Sequence, residues 1–337
     1  MEILSRSVES LVNVKNNFWK NKKVLITGYE GFLGSNLTKK LLDIDAKVFG
    51  LDVLTHRKQT ILTKKDLHKV KIIKGSVENL SLLNDIIKGN KIGFIFHLAA
   101  KSLVGYCTRN PLKAFSTNIK GTWNILEASR NSDLIKAIIV ASSDKAYGSC
   151  IHLPYKENTP LRGAHPYDAS KSCADLIAYT YFYTYGVPVS VTRCGNIFGQ
   201  GDFNFSRIIP DTIRSIIQNK KLIIRSDGKF TRDYIYVDDI VSGYLILAEK
   251  LQKLKLAGEA FNFSYSKPIS VLDLVKKLYR IAGKRANYQV ADQAKCEIKD
   301  QYLSSKKVKE VLKWKPKCML ETGLKKTLEW YRVNLRC

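Results

Sequence analysis

The sequence predicts an α/β fold: a doubly wound parallel sheet with a smaller, interleaved C-terminal α/β substrate domain. Three observations carry that prediction. Apolar strands alternate with amphipathic helices from about residue 23 onward. The connections between them are short, as in parallel sheets covered by helices on both faces. After Gly195 the rhythm breaks into shorter elements without a low-complexity linker, so the second region is woven into the first.

The first strand, Lys23–Thr27, runs directly into Gly28-Tyr29-Glu30-Gly31-Phe32-Leu33-Gly34 and then a helix near 33–43. Glycines let the backbone turn tightly and approach a pyrophosphate seated on the helix N-terminus. This is a Rossmann-type dinucleotide site, with Gly28, Gly31, Phe32, Leu33 and Gly34 against the cofactor. The second strand, Lys47–Leu51, is closed by Asp52. A carboxylate there accepts both ribose hydroxyls and repels a 2′-phosphate, which favours NAD over NADP. Arg57 nearby argues the other way.

The third strand, Val70–Lys74, leads through Gly75 to Ser76 and Val77, which flank the adenine, and to a helix near 79–88. The fourth, Gly93–His97, leads into Leu98, Ala99 and Ala100, small enough for backbone to lie against the cofactor. His97 itself reads as a satisfied strand-end histidine. A helical stretch at 111–131 follows, then a fifth strand, Lys136–Ala141, which ends at Ser142-Ser143-Asp144-Lys145. The helix at 167–185 opens with Tyr167-Asp168-Ala169-Ser170-Lys171, and the sixth strand is Val187–Arg193.

Beyond Gly195 the pattern gives a helix near 206–219, strands near 222–225 and 233–236, a helix from Val237 and a strand at Ala260–Phe263. Helices near 270–282, 304–312 and 320–334 complete the chain, with a loop at 284–302. Residues 1–194, with about 233–265, form the expected dinucleotide domain. Residues 195–232 and 266–337 form the expected substrate domain.

Tyr167 and Lys171 stand at i and i+4 and share a helix face. An ammonium near a phenol stabilises the phenolate, so Tyr167 can act as a base near neutral pH. The hydroxyls of Ser142 and Ser143, at the neighbouring strand end, can hydrogen-bond a sugar hydroxyl and the tyrosine. Asp144 and Lys145 add a carboxyl and an amine, more machinery than simple alcohol oxidation requires. Their structural alternative is a solvated loop pair.

Composition narrows the classes. The chain has 337 residues, 45% of them hydrophobic, an ordinary globular value. No apolar run is long enough to span a bilayer, and residues 1–17 lack the apolar core of a signal peptide. Seven cysteines, at 107, 150, 173, 194, 296, 318 and 337, are scattered singly with no Cys-x-x-Cys pair. That pattern offers no metal site and fits a reducing, cytoplasmic setting. The net charge of +26 has two readings, a nucleic-acid partner or a general lysine bias. Lysines are spread along the whole length with no Arg-rich tract, which favours the bias and no nucleic acid. A positive field also attracts a diphosphate substrate.

Five motifs occur together: Thr27-Gly28-x-x-Gly31-x-x-Gly34, His97-Leu98-Ala99-Ala100, Thr117-Asn118-x-x-Gly121-Thr122, Tyr167-x-x-x-Lys171 and Arg193-x-x-Asn196. In this combination, from about Phe18 to Tyr331, the chain resembles the extended short-chain dehydrogenases that modify nucleotide sugars. Phe18–Val24, Ser143-Asp144-Lys145-x-Tyr147, Lys171–Asp175, Gly201-Asp202 and Arg207–Asp211 are most similar to CDP-glucose 4,6-dehydratases. One stretch departs: Thr231-Arg232-Asp233-Tyr234-Ile235-Tyr236-Val237 looks more like the general epimerase pattern.

The resemblance implies a tightly held, recycled NAD, with Asn118, Ser142, Tyr167 and Lys171 also on the cofactor. It implies Asp144 as the acid at the C6 hydroxyl and Lys145 as the C5 base, with Ser143, Tyr167 and Lys171 completing the catalytic set. A nucleotide-diphosphate sugar would meet Lys101, Ser102, Asn196, Arg207, Arg232 and Tyr302. Family members pair the helices at 111–131 and 167–185 into a dimer interface, so a homodimer is expected. A 4-epimerase needs the tyrosine and the cofactor and little else, and family epimerases carry small hydroxyl residues in place of Asp144 and Lys145. The expectation is therefore a 4,6-dehydratase, with a 4-epimerase as the alternative. A catalytically idle dinucleotide-binding scaffold has only the net charge in its favour.

Overall fold

The computed structural model describes residues 18–57, 59–293 and 298–335. Residues 1–17, Cys296 and Cys337, which entered the sequence readings, lie outside them.

The first half builds strands and helices in alternation: β1 (Lys23–Thr27), α1 (Phe32–Asp43), β2 (Lys47–Asp52), α2 (Lys64–Leu67), β3 (Lys71–Lys74), α3 (Leu80–Gly89) and β4 (Phe94–His97). Next come α4 (Val104–Arg109), α5 (Pro111–Phe115), a π turn at Ser116–Lys120, α6 (Gly121–Arg130) and β5 (Ala137–Ala141). A 3₁₀ turn at Asp144–Tyr147 precedes α7 (Pro166–Tyr185) and β6 (Val189–Cys194). The second half contributes β7 (Asn196–Phe198), α8 (Ile208–Gln218), β8 (Leu222–Ile224), β9 (Thr231–Arg232), β10 (Tyr234–Tyr236), α9 (Val237–Lys250) and β11 (Ala260–Phe263). It closes with β12 (Ile269–Ser270), α10 (Val271–Ile281), β13 (Tyr288–Val290), β14 (Asp300–Gln301), α11 (Lys306–Leu312) and α12 (Leu320–Asn334).

Seven strands form the main sheet in the order β11-β6-β5-β4-β1-β2-β3, and every pairing is parallel. The order reverses between β1 and β4, where doubly wound sheets open a crevice at the carboxyl ends of their strands. Alternate side chains of each strand feed two cores. Val24, Ile26, Phe94, Phe96 and Ile139 pack under α1 and α9. Leu25, Ile95, Ile138 and Val140 pack on the opposite face with α3, α6 and α7. A third core joins α8, α10 and α12 with Phe198, Tyr234 and Tyr236. Three small sheets complete this region: β10-β7, β12-β9-β14 and β13-β8.

The structure differs from the sequence expectation at four places. The stretch 111–131 is helical throughout but is widened by the π turn at Ser116–Lys120. Short helices α2 and α4 were not foreseen, being too brief to show a helical period. The expected strand at 233–236 starts one residue later as β10, and Asp233, whose carbonyl accepts from the backbone N–H of Asn196 at 2.8 Å, separates it from the unforeseen β9. The expected loop at 284–302 holds β13 and β14, each borrowing its backbone partners from a distant strand.

Candidate active site

At the carboxyl end of β1, Gly28 has a φ of +72°, and a Cβ there would stand 3.0 Å from the Ala99 backbone. A Cβ on Gly34 would fall 2.0 Å from the Gly28 carbonyl oxygen. Gly31 caps α1 without a side-chain hydrogen bond, so the first-turn N–H groups face the loop. These glycines make a backbone cradle at a helix N-terminus, which fits a pyrophosphate. Leu98, Ala99 and Ala100 lie beside it, held because the Thr27 hydroxyl accepts from the N–H groups of Leu98 (3.2 Å) and Ala99 (3.1 Å).

Asp52 ends β2 buried, and Arg57 Nη2 donates to both its oxygens at 3.1 and 3.2 Å. The counter-argument in the sequence is thus a physical contact, and ribose hydroxyls would share Asp52 with a guanidinium. Glu30 is the residue that sequence reading missed here. Buried inside the glycine loop, it accepts from the backbone N–H groups of His56 (3.0 Å) and Arg57 (2.8 Å) and from the Tyr29 hydroxyl (3.0 Å). It fastens the pyrophosphate loop to the ribose loop.

Ser76 accepts from the Glu78 N–H at 3.1 Å, and Val77 packs so closely on Gly121 that a Cβ there would meet it at 2.5 Å. Asn118 is wholly engaged with the protein. It accepts from the Lys101 N–H (2.7 Å) and donates to the Lys101 carbonyl (3.0 Å) and to Ser170 Oγ (2.9 Å). Its side chain therefore shapes the 98–101 loop. His97 is satisfied as expected: the Thr122 hydroxyl donates to the Asn118 carbonyl, so Thr122 accepts from Nε2 and Thr27 donates to Nδ1. Burial, with Lys171 nearby, lowers the His97 pKa to about 3, so the ring is neutral.

The side chains expected to be catalytic converge from β5, the 3₁₀ turn and α7. Ser143 caps the 3₁₀ turn by accepting from the Lys145 N–H at 3.2 Å. Its hydroxyl donates to Asp144 Oδ1 at 3.0 Å and also hydrogen-bonds the Tyr167 phenol. Ser142 donates to the Lys171 carbonyl at 3.4 Å. Lys171 Nζ donates to the Ala141 carbonyl at 2.7 Å and lies 5.9 Å from the centre of the Tyr167 ring. Burial lowers the Lys171 pKa to about 8.

Tyr167 differs from the expectation of a ready phenolate. Burial, the largest influence, pushes its pKa up, and Ser143 and Arg207 oppose it. Asp144 is no solvated loop residue. It is 4% exposed, its Oδ2 has no hydrogen-bond partner among the described residues, and burial raises its pKa against the pull of Lys145, Ser143 and Arg232. Burial that tightens a carboxyl's hold on its proton suits a general acid.

The substrate candidates divide. Arg232 is buried and donates to the carbonyls of Thr231 (2.9 Å) and Lys299 (2.7 Å), with Asp144 within its field. Arg207 pairs with Asp202 at 3.0 Å, 5.9 Å from the Phe32 ring, and acts on Tyr167. Asn196 sits on β7 with its amide 3.4 Å from the Asp233 carbonyl. Lys101 leans over the Tyr106 ring, and Ser102 is exposed. Tyr302 uses its backbone carbonyl to accept from the Tyr155 N–H at 3.0 Å. The side chain that reaches the catalytic cluster from this stretch is Gln301, which is fully buried and accepts from Lys145 Nζ at 3.4 Å.

The family model described as GDP-mannose 4,6 dehydratase matches residues 25–327. The chain is 30% identical to a CDP-glucose 4,6-dehydratase of Salmonella typhimurium over 96% of this chain and 94% of that one. It is 31% identical to a UDP-glucuronate 4-epimerase of Thermodesulfobacterium geofontis over 92% of this chain and 96% of the relative. Among solved structures, a dTDP-glucose 4,6-dehydratase of Bacillus anthracis in complex with NAD superposes with a TM-score of 0.83 at 29% identity, covering 93% of this chain and 97% of that one.

Proposed function

The chain belongs to the GDP-mannose 4,6-dehydratase family of nucleotide-sugar dehydratases and epimerases, and from that premise we propose that it is an NAD-dependent nucleotide-sugar 4,6-dehydratase acting on a CDP-glucose-like substrate. The observation that carries this reading is Asp144, a buried carboxyl with an unpaired oxygen on the same turn as Lys145 and joined to Tyr167 through Ser143. A 4-epimerase has no use for an acid there.

The glycine cradle, Asp52 and the 98–100 loop would hold NAD, which would supply hydride acceptance at C4 and hydride return at C6. Tyr167, whose phenol Ser143 and Arg207 draw toward ionisation against burial, takes the C4 hydroxyl proton. The new ketone makes the C5 proton acidic. Asp144 gives its proton to the C6 oxygen, which leaves as water. The acceptor for the C5 proton expected from sequence is Lys145. Arg207, Arg232 and Asn196 bind the diphosphate of the sugar nucleotide. The second region, 195–232 and 266–337, carries that half of the site.

The enzyme works as a homodimer in the cytoplasm. Exposed Leu112 and Trp123 on the 111–130 helical run, with Leu176, Tyr179 and Tyr183 on α7, support a helical dimer face. The free thiols of Cys107, Cys150, Cys173, Cys194 and Cys318 support a reducing compartment. Among the described residues, no helix is long and apolar enough to cross a membrane.

Incubation with CDP-glucose and NAD⁺ should give the alkali-induced absorbance of a 4-keto-6-deoxy sugar. Silence with every common nucleotide-glucose would end the dehydratase reading. The Thr231–Val237 stretch and the similarity to a UDP-glucuronate 4-epimerase favour 4-epimerisation as the second reading. Product analysis separates the two.

A further inference from the structure

Gln301 belongs to no sequence motif, yet the fold fastens it on both sides. β14 pairs with β9 and sets Gln301 beside Arg232. The residues that follow pair with Tyr155, whose N–H donates to the Tyr302 carbonyl at 3.0 Å and whose carbonyl accepts from the Ser304 N–H at 2.8 Å. A fully buried side chain on a paired strand is a fixed point from which to hold a mobile one. Its Oε1 accepts from Lys145 Nζ at 3.4 Å, and its Nε2 is buried without a partner among the described residues. Leaving a buried donor unpaired costs about 1–3 kcal/mol, so this amide marks a place kept for a ligand and not packed core.

Lys145 is the mobile partner, half-buried on the 3₁₀ turn at the end of a flexible four-carbon stem. Among the described residues, its Nζ makes no hydrogen bond or ion pair except the one to Gln301. The carboxyls nearest in effect, Asp144 on the same turn and Asp168 on α7, feel its charge without pairing with it. A carboxylate partner would bind the ammonium far better than the amine and hold it in that form. An amide oxygen accepts an N–H from either form. That suits a nitrogen which must be an amine before a step and an ammonium after it.

Resting on the dehydratase reading with Lys145 as the base, we propose that Gln301 is a positioning residue that holds Lys145 at C5 through both halves of its proton cycle. The Lys145 amine takes the C5 proton, and the C5–H electron pair becomes the C5=C6 bond as the C6–O bond breaks. Asp144 gives its proton to the departing oxygen, and water leaves. Reduction at C6 lets the Lys145 ammonium return its proton to C5. The proton that Tyr167 took from the C4 hydroxyl restores Asp144. Gln301 exchanges no proton and keeps the nitrogen in place.

The test compares Gln301→Leu and Gln301→Glu with the parent on CDP-glucose and NAD⁺ across pH, following C4 oxidation as reduced cofactor, solvent-deuterium entry at C5 and keto-deoxy product. Gln301→Leu removes the acceptor and keeps the bulk. It should oxidise C4 near the parent's rate while C5 exchange and water loss fall by about 100-fold, the cost of a nitrogen displaced by about 1 Å. Gln301→Glu keeps an acceptor and gives it charge. It should raise the pH at which C5 exchange sets in by about one unit or more, with exchange recovering toward the parent's at the high end. Asp144 and Asp168 are unchanged in both variants, so the moved limb reports position 301, and a merely structural residue would leave it where it was. Parent-like C5 exchange in Gln301→Leu, an equal loss of C4 oxidation and C5 exchange there, or an unmoved limb in Gln301→Glu overturns the proposal while leaving the dehydratase standing. Parent-like water loss in Lys145→Ala does the same by removing the base. A parent that yields no keto-deoxy product overturns both.

Discussion

Asp233 offers a quantitative test of how the two halves of the site are joined. It is fully buried between β9 and β10, and its carbonyl fixes Asn196. The Ser264 hydroxyl donates to Oδ2, while Oδ1 is buried without a partner among the described residues. Burial lifts the carboxyl from its ordinary 3.8 to about 6, against the pull of Ser264 and two backbone N–H groups. The sign follows from linkage. The folded state holds this proton more tightly than the unfolded state, so the stability it contributes is present below pH 3.8 and is lost as pH rises to about 6. A rise of that size corresponds to about 3 kcal/mol, of which roughly 2 kcal/mol falls above pH 4.5. Asp233→Asn keeps the shape and cannot ionise. Urea unfolding of parent and variant at pH 4.5 and 7.5 should show the variant gaining roughly 2 kcal/mol on the parent over that interval. A difference that does not change with pH, or that favours the parent at the higher pH, would refute the reasoning.

Other predictions address the cofactor and the chemistry. Asp144→Asn should retain C4 oxidation, read as reduced cofactor, and cut water loss by about 10² to 10⁴. Because the acid works protonated and burial raises its pKa, water loss in the parent should decline as pH rises through that raised value; an increase with pH would contradict the role. Gly34→Ala should abolish NAD⁺ binding in a calorimetric titration, since the added methyl collides with the Gly28 carbonyl; parent-like affinity would disprove the cradle. Asp175→Asn leaves the Arg193 guanidinium, bound to Asp175 at 2.7 and 2.8 Å, buried without its charge partner. It should lower unfolding stability by about 3 to 5 kcal/mol, and a loss under about 1 kcal/mol would show the pair to be dispensable.

Local patterning made the first half of the molecule legible. A buried strand running into spaced glycines and a helix is a short-range signal, and β1, α1 and Asp52 stand where it placed them. The Tyr167–Lys171 spacing likewise belongs to one helix. The residues that escaped depend on distant segments meeting. Glu30 gains meaning only when the 53–57 loop folds back over it. Gln301 and Tyr302 are neighbours, and in a two-residue strand a single step decides which side chain faces the site. The pairing of β14 with β9, across some seventy residues of chain, sets that choice in favour of Gln301. The reading of Asp144 as more than a surface residue needed burial to support it, and burial is a property of the fold.

The fate of one hydrogen tests the central claim most directly. With a nucleotide-glucose deuterated at C4, a 4,6-dehydratase moves the label within a single turnover to the C6 methyl group of a 4-keto-6-deoxy sugar. Recovery of the label at C6 is the predicted result. Label returned to C4 of an epimerised hexose, with the C6 hydroxyl intact, would contradict it.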